Sequence, residues 1–236
     1  MRNLILVLAL VMGTLLSFGH AEAKDAASPT WIQNLAPAQN ARQLFIVAGV
    51  GKTTAWVSMH EKDAQGNWQQ IMTTPGFIGK EGLGKTKEGD GKTPIGVFRF
   101  DKAMGIAPDP GCSLPYTQVD ENYFWSGDPR QGMGYNRLVD IRDYPNLDKE
   151  ASEHLVDYDP HYTYALNISY NSDCIVGVGS AIFLHCFGPM KPYTGGCVAI
   201  PENQMRLVMQ RLDPQCVVII DYLRNLSPET ADSWRI

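Results

Sequence analysis

The chain opens on an apolar run, Leu4 to Phe18, broken by Gly13, Thr14 and Ser17 and preceded by Arg2. With the small residues of Ala21-Glu22-Ala23 behind it, this is the pattern of a cleavable export signal over residues 1–23. The run is shorter than the ~20 residues a membrane span needs. No cysteine beside the cleavage position offers a lipid attachment point. Beyond it the apolar period becomes two. Gln43 to Val50, Thr53 to Glu61 and Trp68 to Thr74 read as strands separated by turns containing Gly and Asn. In the second of them Trp56, Ser58 and His60 alternate with Val57 and Met59. Gly96 to Phe100 is another short strand, and Tyr162 to Tyr170 alternates through Tyr164, Leu166 and Ile168. Ile182 to Phe187, Gly196 to Ile200 and Val217 to Tyr222 are apolar enough for core strands.

One segment has helical spacing. Pro201 suits a first turn, Met205, Val208, Met209 and Leu212 share a face, and Asp213-Pro214 stops the helix. A second short helix is expected around Lys149 to Leu155. Asp101 to Tyr144, rich in Pro, Gly, Asp and aromatic residues, is long for a plain connection and reads as a flap or cap. No Pro/Ser-rich linker divides the rest. The expected organisation is a signal (1–23), an N-terminal extension (24–40), one catalytic domain (41–225) and a C-terminal tail (226–236).

Composition narrows this picture. A chain of 236 residues with 44% hydrophobic content supports one good core. The net charge of −5 gives nucleic-acid binding no electrostatic footprint. Export changes how the cysteines read. Cys112, Cys174, Cys186, Cys197 and Cys216 all follow the signal. In an oxidising compartment an odd count implies one free thiol and up to two disulfides, with the pairing open. The alternative is that some are buried and reduced.

Ala48-Gly49-Val50-Gly51-Lys52-Thr53-Thr54 imitates a phosphate-binding loop. The full pattern needs a glycine where Ile46 stands, and a helix where Thr54 to Met59 alternates like a strand. Gly91-Lys92-Thr93 fails too, with Thr86 at the glycine position. The first motif is expected to be a hairpin turn.

The chemistry concentrates in Gly179-Ser180-Ala181-Ile182-Phe183-Leu184-His185 and Tyr193-Thr194-Gly195-Gly196-Cys197-Val198-Ala199-Ile200. An apolar strand delivers His185 at its end, and twelve residues later a Gly-Gly-Cys turn enters another apolar stretch. A cysteine thiol with an ordinary pKa of about 8.5 needs a neighbouring imidazole to react as thiolate. Glycines before it let the backbone turn tightly and aim the Gly196 and Cys197 amides at a developing oxyanion. Two rival readings stand beside this one. A cysteine among Val and Ile is often a small buried hydrophobe. His185, Cys186 and Cys197 also offer three soft metal ligands, but no fourth lies at zinc-like spacing.

Further marks surround this pair: Gly89-Asp90-Gly91-Lys92-Thr93-Pro94-Ile95-Gly96-Val97-Phe98, Tyr135-Asn136 and Ser152-Glu153-His154. In this order, from about Leu44 to Tyr222, the chain resembles the L,D-transpeptidase catalytic domain family, the YkuD-like enzymes of peptidoglycan, in a branch with a short His-to-Cys segment. The resemblance implies a mainly β, single sheet-and-barrel domain with one or two short helices and a long loop or flap. It implies Cys197 as nucleophile, His185 as general base and Gly196 beside the oxyanion hole, with no cofactor. Peptidoglycan stem peptides would be the partner: a thioester forms, D-Ala leaves, and an amine or water resolves the intermediate. Transpeptidase, carboxypeptidase and a silent wall-binding domain of the same fold all remain open. Three departures stand out. Gly195 occupies the place of the family's commoner His, Ala199 that of an Arg or Asn, and the His-to-Cys spacing is short.

Substrate contacts are expected from Tyr193, Thr194 and Gly195. Asn136, with Tyr135, is read as binding substrate or fixing a turn, and His154 as lining the cleft or as a surface histidine. The run from Lys80 to Lys92 reads as a solvated Gly-rich loop. Trp125, Tyr116 and Tyr123 are expected to stack on substrate or to pack under the flap.

Overall fold

A computed structural model describes residues 26–189 and 191–233; the expected signal lies outside them. The strands, in chain order, are β1 (Ala26–Ala27), β2 (Gln43–Gly49), β3 (Thr54–Lys62), β4 (Trp68–Phe77), β5 (Gly96–Gly105), β6 (Tyr116–Gln118), β7 (Tyr123–Trp125), β8 (Leu138–Asp140), β9 (Glu153–His154), β10 (Ala165–Ile168), β11 (Phe183–Cys186), β12 (Val198–Ile200) and β13 (Val217–Tyr222). The helices are α1 (Trp31–Asn34), α2 (Glu202–Arg211), α3 (Leu223–Leu226) and α4 (Pro228–Ser233), more than the one or two expected.

β4, β12, β11, β10, β5, β13, β2 and β3 follow one another around a sheet that closes where β3 pairs again with β4. β1 extends it at β4 and β6 at β5. Most pairs are antiparallel, but β11–β12, β13–β2 and β5–β6 are parallel. The unbroken apolar reading of β2 has a simple cause: both its faces are covered. Phe45 and Val47 enter the barrel core with Val218 and Ile220 of β13. Leu44, Ile46 and Ala48 face outward and are covered by Ile32, Ala38 and Leu223. Each such fully buried aliphatic side chain contributes about 2 kcal/mol. The segment before β2 is therefore part of the packing. The apolar face of α2, with Met205, Val208 and Met209, packs into the barrel core.

The imitation phosphate loop is the turn of the antiparallel β2–β3 hairpin, as the strand alternation requires. Several other expectations are corrected. Lys149 to Leu155 forms no α-helix. The Asp148 carboxylate accepts the Glu150 and Ala151 amides, which bends the chain into β9. The strand expected from Tyr162 begins only at Ala165, because His161–Thr163 is a 3-10 turn. The expected flap is partly strand. β5 runs on to Gly105, and β8, β7 and β9 form a small separate sheet. All five cysteines are free thiols, so the expected disulfides are absent. Cys186 and Cys216 serve as small apolar side chains of the barrel core.

Candidate active site

Alternation on β11 sends Leu184 and Cys186 into the barrel, and Phe183 and His185 out of it. Parallel pairing aligns His185 with Ala199 of β12. Cys197, two residues before Ala199, therefore points to the same outer face. The small β8–β7–β9 sheet lies over this face, and Phe183 and Cys197 pack with Trp125, Leu155 and Tyr162. Between barrel and small sheet is a cavity of about 650 Å³ lined by Cys197 and His185.

The two side chains are held by backbone. Cys197 Sγ donates to the Ala181 carbonyl at 3.1 Å and accepts the Phe183 amide at 3.3 Å. His185 Nδ1 lies 2.8 Å from the Cys186 carbonyl, which can only accept, so Nδ1 carries the proton and Nε2 is the basic nitrogen. Burial pushes the Cys197 thiol up to about 12, and the charge of Glu153 adds to this. Burial lowers His185 to about 4 against the help of the Cys186 carbonyl. Thiol and imidazole are thus both neutral at rest.

Gly196 sits at φ +155, and a Cβ there would meet the Lys92 carbonyl at 2.9 Å, so the turn requires glycine. Its amide donates to Thr194 Oγ1 at 3.1 Å, while that hydroxyl donates to the Cys197 carbonyl at 2.7 Å. The expected oxyanion donor is therefore occupied in the resting site, and Thr194 shapes the turn. Tyr193, Thr194 and Gly195 all line the cavity.

Two expected contacts lie elsewhere. Asn136, at φ +57, uses its whole amide inside the protein. Its Oδ1 accepts Trp125 Nε1 and the Ala181 amide, and its Nδ2 donates to the Tyr170 and Asn171 carbonyls. It fixes a turn and leaves nothing for a substrate. His154 stacks on Phe124 and bonds Asp157 and the Glu121 carbonyl, outside the cavity wall. Successive residues of a strand face opposite ways, so its neighbour Glu153 enters the cavity with its cross-strand partner Trp125.

Glu153 accepts the Tyr162 hydroxyl at 2.7 Å. Burial raises its carboxyl to about 7; the tyrosine bond opposes this and the charge of Glu88 adds to it. His161 is a second side chain that sequence reasoning missed. Its ring meets His185 edge-on with centroids 5.7 Å apart, packed so closely over Gly188 that a Cβ there would overlap it. Among the described residues its buried Nδ1 has no hydrogen-bond partner. No periodicity marks His161, because it sits in the 3-10 turn. The Lys80–Lys92 loop is also corrected: it forms a wall of the cavity. Lys85 is almost fully buried, 3.1 Å from Asp90. Burial alone would raise Asp90, but the amides of Thr86, Lys92 and Lys87 and the Lys85 ammonium hold it down to about 2. Glu88 ties this wall to the next by accepting the hydroxyls of Tyr135 and Ser180. No cluster of three or more metal-ligating side chains occurs among the described residues.

The site is thus a closed barrel that carries His185 on β11 and Cys197 at the entry to the adjacent parallel strand β12, under a small covering sheet. The sequence profile of the YkuD family, the L,D-transpeptidase catalytic domain, matches residues 52–220, and the chain belongs to that family. The family acts on peptidoglycan through L,D-transpeptidase-type catalysis. A search among curated proteins finds no match. No helix of the described residues is long and apolar enough to cross a membrane.

Proposed function

We propose that the protein is an exported cysteine acyltransferase that cross-links peptidoglycan stem peptides by L,D-transpeptidation. The observation that carries this reading is the placement of His185 on β11 and of Cys197 immediately before its partner β12, both lining one cavity, with His185 Nε2 left as the base. Cys197 Sγ attacks the carbonyl between the diamino acid and D-Ala. The S–C bond forms, the C–N bond breaks, and the thiol proton passes through His185 Nε2 to the departing D-Ala amine. An acceptor amine then attacks the thioester: a C–N bond forms, the C–S bond breaks, and the proton returns by His185 to sulfur. With the thiol raised and the imidazole lowered by burial, the proton leaves sulfur as the S–C bond forms.

The Cys197 amide serves the oxyanion, and the Gly196 amide joins it on release from Thr194. Tyr193 and Gly195 border the stem peptide, and the exposed Lys80 and Lys191 in the cavity wall offer charge to its carboxylates. Residues 1–23, read as an export signal, deliver the enzyme to the periplasm or another extracytoplasmic space, where this substrate lies.

The test uses the mature protein and Cys197→Ala, each incubated with purified disaccharide-tetrapeptide muropeptides and followed by mass spectrometry. Cross-linked dimers with loss of D-Ala, made only by the unmodified protein, are the expected result, with a nearly unchanged melting temperature in the variant. Tripeptides alone would replace transpeptidation by L,D-carboxypeptidation. No product from either protein would overturn the reading and favour a wall-binding domain.

A further inference from the structure

The cavity holds one acidic group whose surroundings differ from those of every other charge in its wall. Lys85 is neutralised by Asp90, and Glu88 is engaged by two hydroxyls. Lys80 and Lys191 are exposed. Glu153 instead faces Trp125 across the β7–β9 pair and accepts a single bond from Tyr162, while the Tyr158 ring stacks on Tyr162 at 4.8 Å between centroids. Tyr158, Tyr162 and Trp125 all line the same cavity as Cys197. Oε2 of Glu153 accepts the Tyr162 hydroxyl, and the Glu153 side chain lines the cavity.

A carboxylate bordered by aromatic rings is the chemistry that recognises a primary ammonium. The carboxylate supplies charge-assisted hydrogen bonds and the rings supply cation–π attraction. Resolution of a thioester by an amine needs such a site for a second reason. An alkyl ammonium has an ordinary pKa near 10.4, so the acceptor arrives protonated and cannot attack. An ammonium sheds two protons on becoming an amide N–H, and His185 carries one of them to sulfur, so a second base takes the other.

We propose that Glu153 is the acceptor-binding residue: it receives a primary ammonium among the rings of Tyr158, Tyr162 and Trp125 and takes one proton from it. This rests on the acyl-enzyme chemistry proposed above. The proton balance is simple. R–NH3+ and the Glu153 carboxylate give R–NH2 and the carboxylic acid. The free amine forms the new C–N bond as the C–S bond breaks. The nitrogen's surplus proton goes to His185 Nε2 and on to sulfur, and Glu153 releases its proton to solvent after the product leaves. Water needs no such ammonium site, so Glu153 decides between cross-linking and hydrolysis.

The test compares the mature protein with Glu153→Gln, which keeps the shape and still accepts the Tyr162 hydroxyl. A tetrapeptide donor acylates each protein, and Nα-acetyl-lysine amide is supplied as acceptor. The ratio of aminolysis to hydrolysis of the acyl-enzyme, which is read after acylation, should fall by about a hundredfold, the scale of a lost general base. Glu153→Asp should restore part of that ratio. An unchanged ratio, or an equal decline of acylation, aminolysis and hydrolysis, would overturn the proposal.

A second measurement does not depend on turnover. Nα-acetyl-lysine amide is titrated by NMR into Cys197→Ala protein with and without Glu153→Gln. Weakening by about tenfold is expected, as for loss of a buried charge partner. Equal binding would overturn the proposal even if no acyl-enzyme forms with the tetrapeptide, an outcome that would itself refute only the parent reading.

Discussion

The two walls of the cavity are built on different principles. The floor, β11 with β12 and the Gly-Gly-Cys turn, belongs to the barrel's hydrogen-bond ladder, and its Leu184, Cys186, Val198 and Ile200 are packed into the main core. The opposite wall is a three-stranded sheet of very short strands and a glycine-rich loop, tied down by individual polar contacts such as those of Asn136, Glu88 and Asp90. The proposed nucleophile and base sit on or beside the first, and the proposed ammonium site of Glu153 sits on the second. Rigid positioning of the thiol and base comes from strands, whereas the second wall can be altered one contact at a time.

Three substitutions sharpen this contrast. His185→Gln removes the base from the first wall. Turnover should drop by about 10² to 10⁴, with stability at neutral pH nearly unchanged, because the native imidazole carries no charge there. A variant with near-normal turnover would show that His185 is not the base.

Asn136→Ala attacks the second wall's anchorage. It removes four hydrogen bonds, to Trp125, Ala181, Tyr170 and Asn171, and leaves a left-handed backbone without the residue suited to it. The expected loss is about 3 kcal/mol. Hydrogen exchange should accelerate through residues 122–158 while β2 and β13 stay protected. Uniform acceleration would show that the walls unfold as one unit.

Glu153→Gln has a smaller effect on stability, and it depends on pH. The folded carboxyl titrates at about 7 against 4.5 in the free group, so the native state binds the extra proton between those values. Its contribution is present below 4.5 and is lost as pH rises through 7. The variant should therefore gain roughly 2 kcal/mol over the parent at pH 8, after allowance for partial exposure, and about nothing at pH 4.5. The parent's two depressed histidines act in the opposite direction. His60 and His185, both buried and lowered to about 4, take protons when unfolded but not when native, so stability falls as pH drops from 6.5 to 4. Thermal melts across pH 4 to 8 would reveal both trends, and a flat difference between parent and variant would exclude a raised Glu153.

The first wall was legible in the sequence and the second largely was not. β2, β13 and α2 announce themselves because dense apolar patterns have few ways to be satisfied. Cys197 and His185 stand out because they interrupt such patterns. Glu153 and His154 show where this fails. The pair was marked, but a two-residue strand carries no period from which to tell its faces, and only pairing with β7 sends Glu153 inward. Lys85 looked solvated because the charge of a lysine says nothing about a folded loop that supplies Asp90 beside it. His161 gave no signal at all, since its position depends on Gly188 leaving room for its ring. The sequence leaves both roles of Asn136 open, and the φ of +57 and four amide contacts assign it to the turn.

The parallel pairing of β11 and β12 has a consequence for engineering. Antiparallel neighbours can be joined by two residues, but parallel neighbours require the chain to travel back along its own length. Residues 187–197 make that return trip, and Phe187, Gly188, Lys191 and Tyr193 lie on the cavity's rim as they do so. The return segment cannot be trimmed to a tight turn, and the Phe187 amide still donates to the Ile200 carbonyl of β12, so the part free to vary lies beyond Gly188. It is therefore a natural cassette for loop grafting. Libraries confined to 191–193 would vary the aperture while leaving in place Phe187, whose amide donates to the Ile200 carbonyl, and Gly188, which makes room for His161.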